Sequence, residues 1–80
     1  MYYTYVLMCS DGKTYIGSTN DLKDRLRRHQ SGYVPATEKR TPVKLIAYFA
    51  FINEKTSRDF EQYLKSGSGR AFVNKHNFVG

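Results

Sequence analysis

Eighty residues carrying 13 Lys or Arg against 7 acidic side chains have a net charge of +6 and a pI near 9.6. A chain this short has room for one core, so a single domain over residues 1–80 is expected, with a stability of roughly 5 kcal/mol or less. The charge favours a polyanionic partner, the alternative being charge that serves solubility alone. Cys9 is the only cysteine, which excludes an intramolecular disulfide and a four-cysteine metal site and fits a reducing, cytoplasmic setting. The longest apolar run, Leu45 to Ile52 including Tyr48, is too short to cross a bilayer, and the N-terminus lacks a secretory pattern, so no membrane association is expected.

Tyr3 to Cys9 is β-branched and aromatic and predicts a strand covered on both faces. Asp11-Gly12 is a hairpin-turn signal, and Thr14 to Gly17 returns as the second strand. Ser18, Thr19 and Asn20 are three successive N-cap candidates for a helix over about Asp21 to Gln30. Asp21 and Asp24 suit its positive end, Leu22 and Leu26 supply a buried stripe, and Arg25 and His29 share one face. Gly32 fits the residue just past the helix. Ser31 to Pro42 has no period and is expected to be a functional or mobile loop.

Val43 to Ile52 is apolar at nearly every position, predicting a third strand that is central or covered on both faces. Thr56 to Asp59 resembles a capping box opening a helix with Phe60, Tyr63 and Leu64 on its buried face. Ser66 to Gly69 interrupts it before a last short helix over about Arg70 to His76, and residues after Asn77 read as a loose end. The order β-β-α-β-α-α predicts an α+β fold, a three-stranded, mainly antiparallel sheet flanked by helices.

Tyr3-Thr4-Tyr5, then Tyr15-Ile16-Gly17 and then Arg25 form an ordered set. Tyr15 lies ten residues after Tyr5, and Arg25 ten residues further on. With Thr41-Pro42-Val43 and Leu64-Lys65, this set resembles the GIY-YIG nuclease family, in particular its small single-domain bacterial members. They are related to the N-terminal catalytic domain of the excision-repair incision subunit. The resemblance covers nearly the whole chain. It implies a GIY-YIG endonuclease-like fold and hydrolysis of DNA phosphodiester bonds with one divalent ion, Mg2+ or Mn2+. It also implies a role of the kind relatives play in DNA repair, homing or restriction.

Tyr15 is by resemblance the general base, or a group that orients the water. A free phenol has a pKa of about 10, so neighbouring cations are needed to favour phenolate. Tyr5 matches the other signature tyrosine and is expected to position the phosphate or the nucleophilic water; the alternative is core packing. Arg25 would hold a non-bridging phosphate oxygen, for which a planar guanidinium is suited. His29 stands where some relatives carry tyrosine, as phosphate donor or acid–base group, or else as a partner of the helix dipole.

Glu61 occupies the place of the family's metal-binding carboxylate, and Asp59 and Glu54 compete for that assignment. One carboxylate is a normal Mg2+ site, because Mg2+ keeps much of its hydration. Asn74 is similar to an Asn that closes the site in some relatives. Arg28, Lys39, Arg40, Lys44 and Arg70 are candidates for phosphate contact, and Tyr33 for base stacking, each with solvated surface as the alternative. The first motif lacks the family's Gly and Ile, and Ser18 stands where many relatives carry Lys, which removes one candidate for activating Tyr15. Nothing forms a base-reading motif, so recognition by backbone and shape is expected, with a protein partner or homodimer supplying specificity. The rival reading is a nucleic-acid-binding or partner-recruitment module of the same fold that cleaves weakly or not at all.

Overall fold

The computed structural model describes the backbone of residues 1–75 and the side chains of residues 1–73. Strands β1 (Tyr2–Met8), β2 (Thr14–Thr19) and β3 (Lys44–Phe51) form one antiparallel sheet in the order β2-β1-β3. Helix α1 (Leu22–Gln30) follows β2, and α2 (Glu54–Lys65) and α3 (Gly67–Lys75) follow β3. This is the expected β-β-α-β-α-α fold, and β1, apolar on both faces, occupies the centre. The expected extension of the last helix to His76, and the loose end after Asn77, lie outside the described residues.

Strand alternation divides the core in two. Tyr5 and Leu7 pack with Cys9 and Val43 on one face, joined by Tyr15 and by Leu22 and Leu26 of α1. On the other face Val6 and Ile16 meet Leu64 of α2 and Val73 of α3. Phe60 of α2 packs edge-on against Phe49 of β3 at 4.7 Å between ring centres. Gly69 lets the last two helices touch, since a Cβ there would run into the Tyr63 carbonyl and the Leu64 Cα.

The third strand differs from expectation: β3 is an edge strand, not a central one. Its pattern is half-buried rather than closed, and Tyr48 is 56% exposed. An uninterrupted apolar run looks the same whether one or both of its faces are covered. Three helix starts also shift. The α1 cap is Asp21, whose carboxylate accepts from the Asp24 amide, because β2 runs on through Ser18 and Thr19. The α2 cap is Asn53, accepting from Thr56 N–H, so Thr56 lies inside the helix and forms no capping box. Ser66 accepts from the Gly69 amide and opens α3 at Gly67 rather than Arg70.

Two turns matter for the site. Gly12, at φ +79°, donates its amide to the Cys9 carbonyl and closes the β1–β2 hairpin. Gly32, also at φ +79°, ends α1: its amide bonds the His29 carbonyl and the Tyr33 amide bonds the Arg28 carbonyl. That pair is the Schellman arrangement, which stops the helix one residue after His29. The loop that follows is tied down. Arg40 bonds Asp11 at 2.8 Å, and the Arg40 carbonyl accepts from the Ser10 amide, so the loop is fastened to the hairpin turn.

Leu64 is 1% exposed between α2 and the sheet, and truncation to Ala is expected to cost about 2–5 kcal/mol. Ile52→Ser, at a position 86% exposed, should stay within about 0.5 kcal/mol of the parent. Urea unfolding of the two variants checks both values.

Candidate active site

Tyr5 on β1 and Tyr15 on β2 point to the α1 face of the sheet. In register, Tyr5 stands opposite Gly17 and Tyr15 opposite Leu7. Their rings are 6.3 Å apart, and the His29 ring closes the group at 5.6 Å from Tyr5 and 5.1 Å from Tyr15. Gly17 makes room for the cluster: a Cβ there would stand 2.5 Å from the Tyr5 hydroxyl.

His29 is 0% exposed with both ring nitrogens engaged, Nε2 with the Tyr5 hydroxyl at 2.9 Å and Nδ1 with Thr37 Oγ1 at 2.7 Å. Burial, helped by the charge of Arg25, pushes its imidazole below the usual histidine value. The ring is therefore neutral at pH 7. Tyr5 is pushed up to about 12, chiefly by burial and next by Tyr15, with Glu61 adding a smaller push. The charge and hydrogen bonding of Arg25 oppose that rise. Tyr5 is thus a neutral phenol, and its hydroxyl is where the influences of Tyr15, Arg25 and Glu61 meet.

Glu61 lies on the α2 side of the sheet. Ser18 Oγ donates to its Oε1 at 2.5 Å, and Lys65 Nζ to its Oε2 at 2.6 Å. Burial pulls the Glu61 pKa upward more than any other single effect. Hydrogen bonds from Lys65 and Ser18, with the charges of Lys65 and Arg58, together outweigh it and hold the carboxylate below its usual value. Two recesses flank this link. Arg25, half-buried on α1, lines one of about 210 Å³ with Ser18, Asn20 and Arg58. Tyr15 and Lys65 line a second of about 650 Å³ with Lys13 and Arg70.

A family model described as the GIY-YIG catalytic domain matches residues 1–77. The chain belongs to the GIY-YIG family. A UPF0213 protein of Lactococcus lactis, YsiG, is 43% identical over 65 residues, covering 80% of this chain and 62% of that protein. The chain thus spans less than two thirds of that relative's length. A UPF0213 protein of Streptococcus agalactiae is 37% identical over 78 residues, covering 92% of this chain and 89% of its own. The solution NMR structure of the UPF0213 protein BH0048 of Bacillus halodurans has a similar fold, with a TM-score of 0.61 and 33% identity, covering 100% of this chain and 87% of that one.

Within this GIY-YIG domain Tyr5, Tyr15 and His29 come together, while Arg25 lines the recess beside Ser18, separate from the Tyr15 groove, and Glu61 lies across the sheet edge. Two expectations change. Tyr5 is 1% exposed and its hydroxyl is committed to His29, so it does not stand open to a phosphate. His29 is no exposed partner of the helix dipole but the buried centre of the cluster. Of the carboxylates weighed against Glu61, Asp59 pairs with Lys55 on exposed surface, whereas Glu54 pairs with Arg58 and lines the Arg25 recess. Arg28 pairs with Asp24, Arg40 with Asp11, Lys39 and Tyr33 are exposed, and Arg70 lines the Tyr15 groove. The Asn74 side chain lies outside the described residues.

Thr37 and Ser57 escaped the sequence reading. Both are buried, Thr37 on His29 and Ser57 accepting at its carbonyl from Thr4 Oγ1 at 2.7 Å. Neither sits in a pattern that marks it, since each partner is distant along the chain. Among the described residues no group of three or more His, Cys, Asp and Glu is gathered as a metal cage. The ionised, half-buried Glu61 instead fits the one-carboxylate kind of site in which water and phosphate oxygens complete the shell.

Gly17→Ala should displace the Tyr5 ring and cost about 1–3 kcal/mol by overpacking, read from the urea midpoint. The lowered His29 pKa fixes a pH slope. Below the ordinary histidine value of about 6.5, the unfolded chain takes up a proton that the folded chain refuses. Stability is therefore full above that pH and falls as pH drops toward the folded pKa. His29→Asn should flatten the slope between about pH 7 and pH 5.5, checked by urea midpoints across that window.

Proposed function

We propose that this GIY-YIG domain is a metal-dependent endonuclease that hydrolyses DNA phosphodiester bonds in the cytoplasm. The observation that supports it most is the arrangement about the edge strand: the Tyr5, Tyr15 and His29 rings packed on one face, and the ionised Glu61 bonded to Ser18, which shares a recess with Arg25. In this reading Arg25 holds a non-bridging phosphate oxygen and stabilises charge gathered on phosphorus. Tyr15 orients the attacking water and serves as the general base for its proton while the P–O3′ bond breaks. His29 and Tyr5 are neutral and hold the ring of Tyr15 in place from below. Glu61 would hold one Mg2+ or Mn2+, whose chemistry is to stabilise the leaving 3′ oxygen. Arg70, Lys13 and Lys65 along the Tyr15 groove, with exposed Arg28 and Lys39, supply sequence-independent attraction for the strand. Recognition by backbone and shape leaves branched, nicked and single-stranded DNA as the substrates to try, with a second protein or a second copy as the source of further specificity.

One observation favours a second reading, a binding module that cleaves weakly or not at all. Both oxygens of Glu61 are already bonded, one by Ser18 and the other by Lys65. The assay that separates the two uses purified protein, Mg2+ or Mn2+, and those three DNA forms. Tyr15→Phe, Arg25→Ala and Glu61→Gln should each lower cleavage by about a hundredfold or more while binding persists. EDTA should abolish cleavage and added Mg2+ restore it. Binding without cleavage of any substrate by the unaltered protein would establish the module instead.

A further inference from the structure

We propose that Thr37, in the loop after α1, is a positioning residue that fixes the proton of His29 on Nδ1 and thereby aims the Tyr5 hydroxyl. Its catalytic consequence rests on the nuclease reading above; its geometry does not. Thr37 is 0% exposed although its loop lies mostly at the surface. Its amide donates to the Val34 carbonyl and its carbonyl accepts from the Arg40 amide, so its backbone is held on both sides. Its hydroxyl has one protein partner of catalytic interest, His29 Nδ1 at 2.7 Å.

The direction of the chain follows from donor inventory. A neutral imidazole has one N–H and one bare nitrogen, and the partner of one nitrogen decides the state of the other. A phenol is a stronger acid than an aliphatic alcohol, so of the two hydroxyls that flank the ring Tyr5 is the stronger donor. The phenol therefore turns its O–H toward His29. Nε2 accepts that O–H and is bare, which leaves the proton on Nδ1, donated to Thr37 Oγ1. The run is Tyr5 to His29 to Thr37, both hydrogens pointing toward the loop.

Removing the Thr37 hydroxyl strands the Nδ1 proton in a closed space. The proton then moves to Nε2, and His29 becomes a donor to Tyr5. The phenol oxygen would then accept from Nε2, and its O–H would swing out of the chain. The effect reaches Tyr15 through the Tyr5 and His29 rings that wall it in. Because the Thr37 backbone is bonded to Arg40, itself fastened to Asp11, the long loop and the hairpin turn are parts of the same brace.

The test uses the full chain labelled with ¹⁵N, and reads the imidazole nitrogens of His29 from long-range proton–nitrogen correlations without substrate. His29→Asn identifies which signals belong to that ring. In the parent, Nδ1 should appear protonated and Nε2 bare. Thr37→Val keeps the shape and deletes the hydroxyl, and should move the proton to Nε2; Thr37→Ser should keep it on Nδ1. In the cleavage assay Thr37→Val should lower kcat by about tenfold to a hundredfold with little change in KM, the range seen when a group that orients a histidine is lost. Thr37→Ser should restore the parental rate. A parent ring protonated on Nε2, a ring unchanged in Thr37→Val, or a Thr37→Ser variant that behaves like Val would overturn the proposal. Absence of cleavage by the parent would count against the nuclease reading alone, since the ring signals are read without DNA.

Discussion

A single buried imidazole determines how the parts of this molecule meet. His29 has no solvent contact, so neither ring nitrogen has water to fall back on, and an unpaired one would cost about 1–3 kcal/mol. In a chain whose whole stability is roughly 5 kcal/mol, that penalty is a large share. Both nitrogens must therefore find partners, and those partners come from different elements, Tyr5 on the central strand and Thr37 in the long loop. The abrupt end of α1 at Gly32 makes this possible. A further helical turn would carry the chain away from the sheet, whereas the left-handed residue turns it back within five residues to Thr37.

The second constraint is the position of β2 at the sheet edge. Alternation sends Tyr15 and Gly17 to the α1 face and Ile16 and Ser18 to the α2 face. In a central strand those faces would be sealed from one another by the neighbouring chains. At an edge, the rim is open, and groups from both faces can address one ligand. Ser18 and Arg25, from opposite faces, line the same recess, and Tyr15 shares its groove with Lys65. Gly17, between Tyr15 and Ser18, has no side chain, so the Tyr5 phenol can lie against the edge strand there.

Local patterns carried the elements and tertiary closure carried the details. The hairpin was legible because Asp11-Gly12 separates two β-rich runs, and α1 because Leu22, Leu26 and Gly32 sit where a helix of that length needs them. The tyrosine pair and Arg25 were legible as an ordered motif, and Glu61 through the same resemblance. The edge position of β3 was not, since Lys44 to Phe51 is equally apolar in either setting. Asn53 was passed over as a cap because Thr56 and Asp59 offer a plausible box three residues later. Thr37 was invisible for a different reason. Its role depends on where the loop closes, and no periodicity encodes that.

Ser18 brings no charge to Glu61; the ammonium that reaches the carboxylate comes from another element. Lys65, four residues along α2 from Glu61, brings its ammonium to the Glu61 carboxylate and lines the groove that holds Tyr15. The two partners are unequal: the Lys65 side chain is 46% exposed and that of Glu61 17%. An ion pair with so exposed a cation contributes only about 0–1 kcal/mol, so Lys65 can leave at little cost while Glu61 cannot.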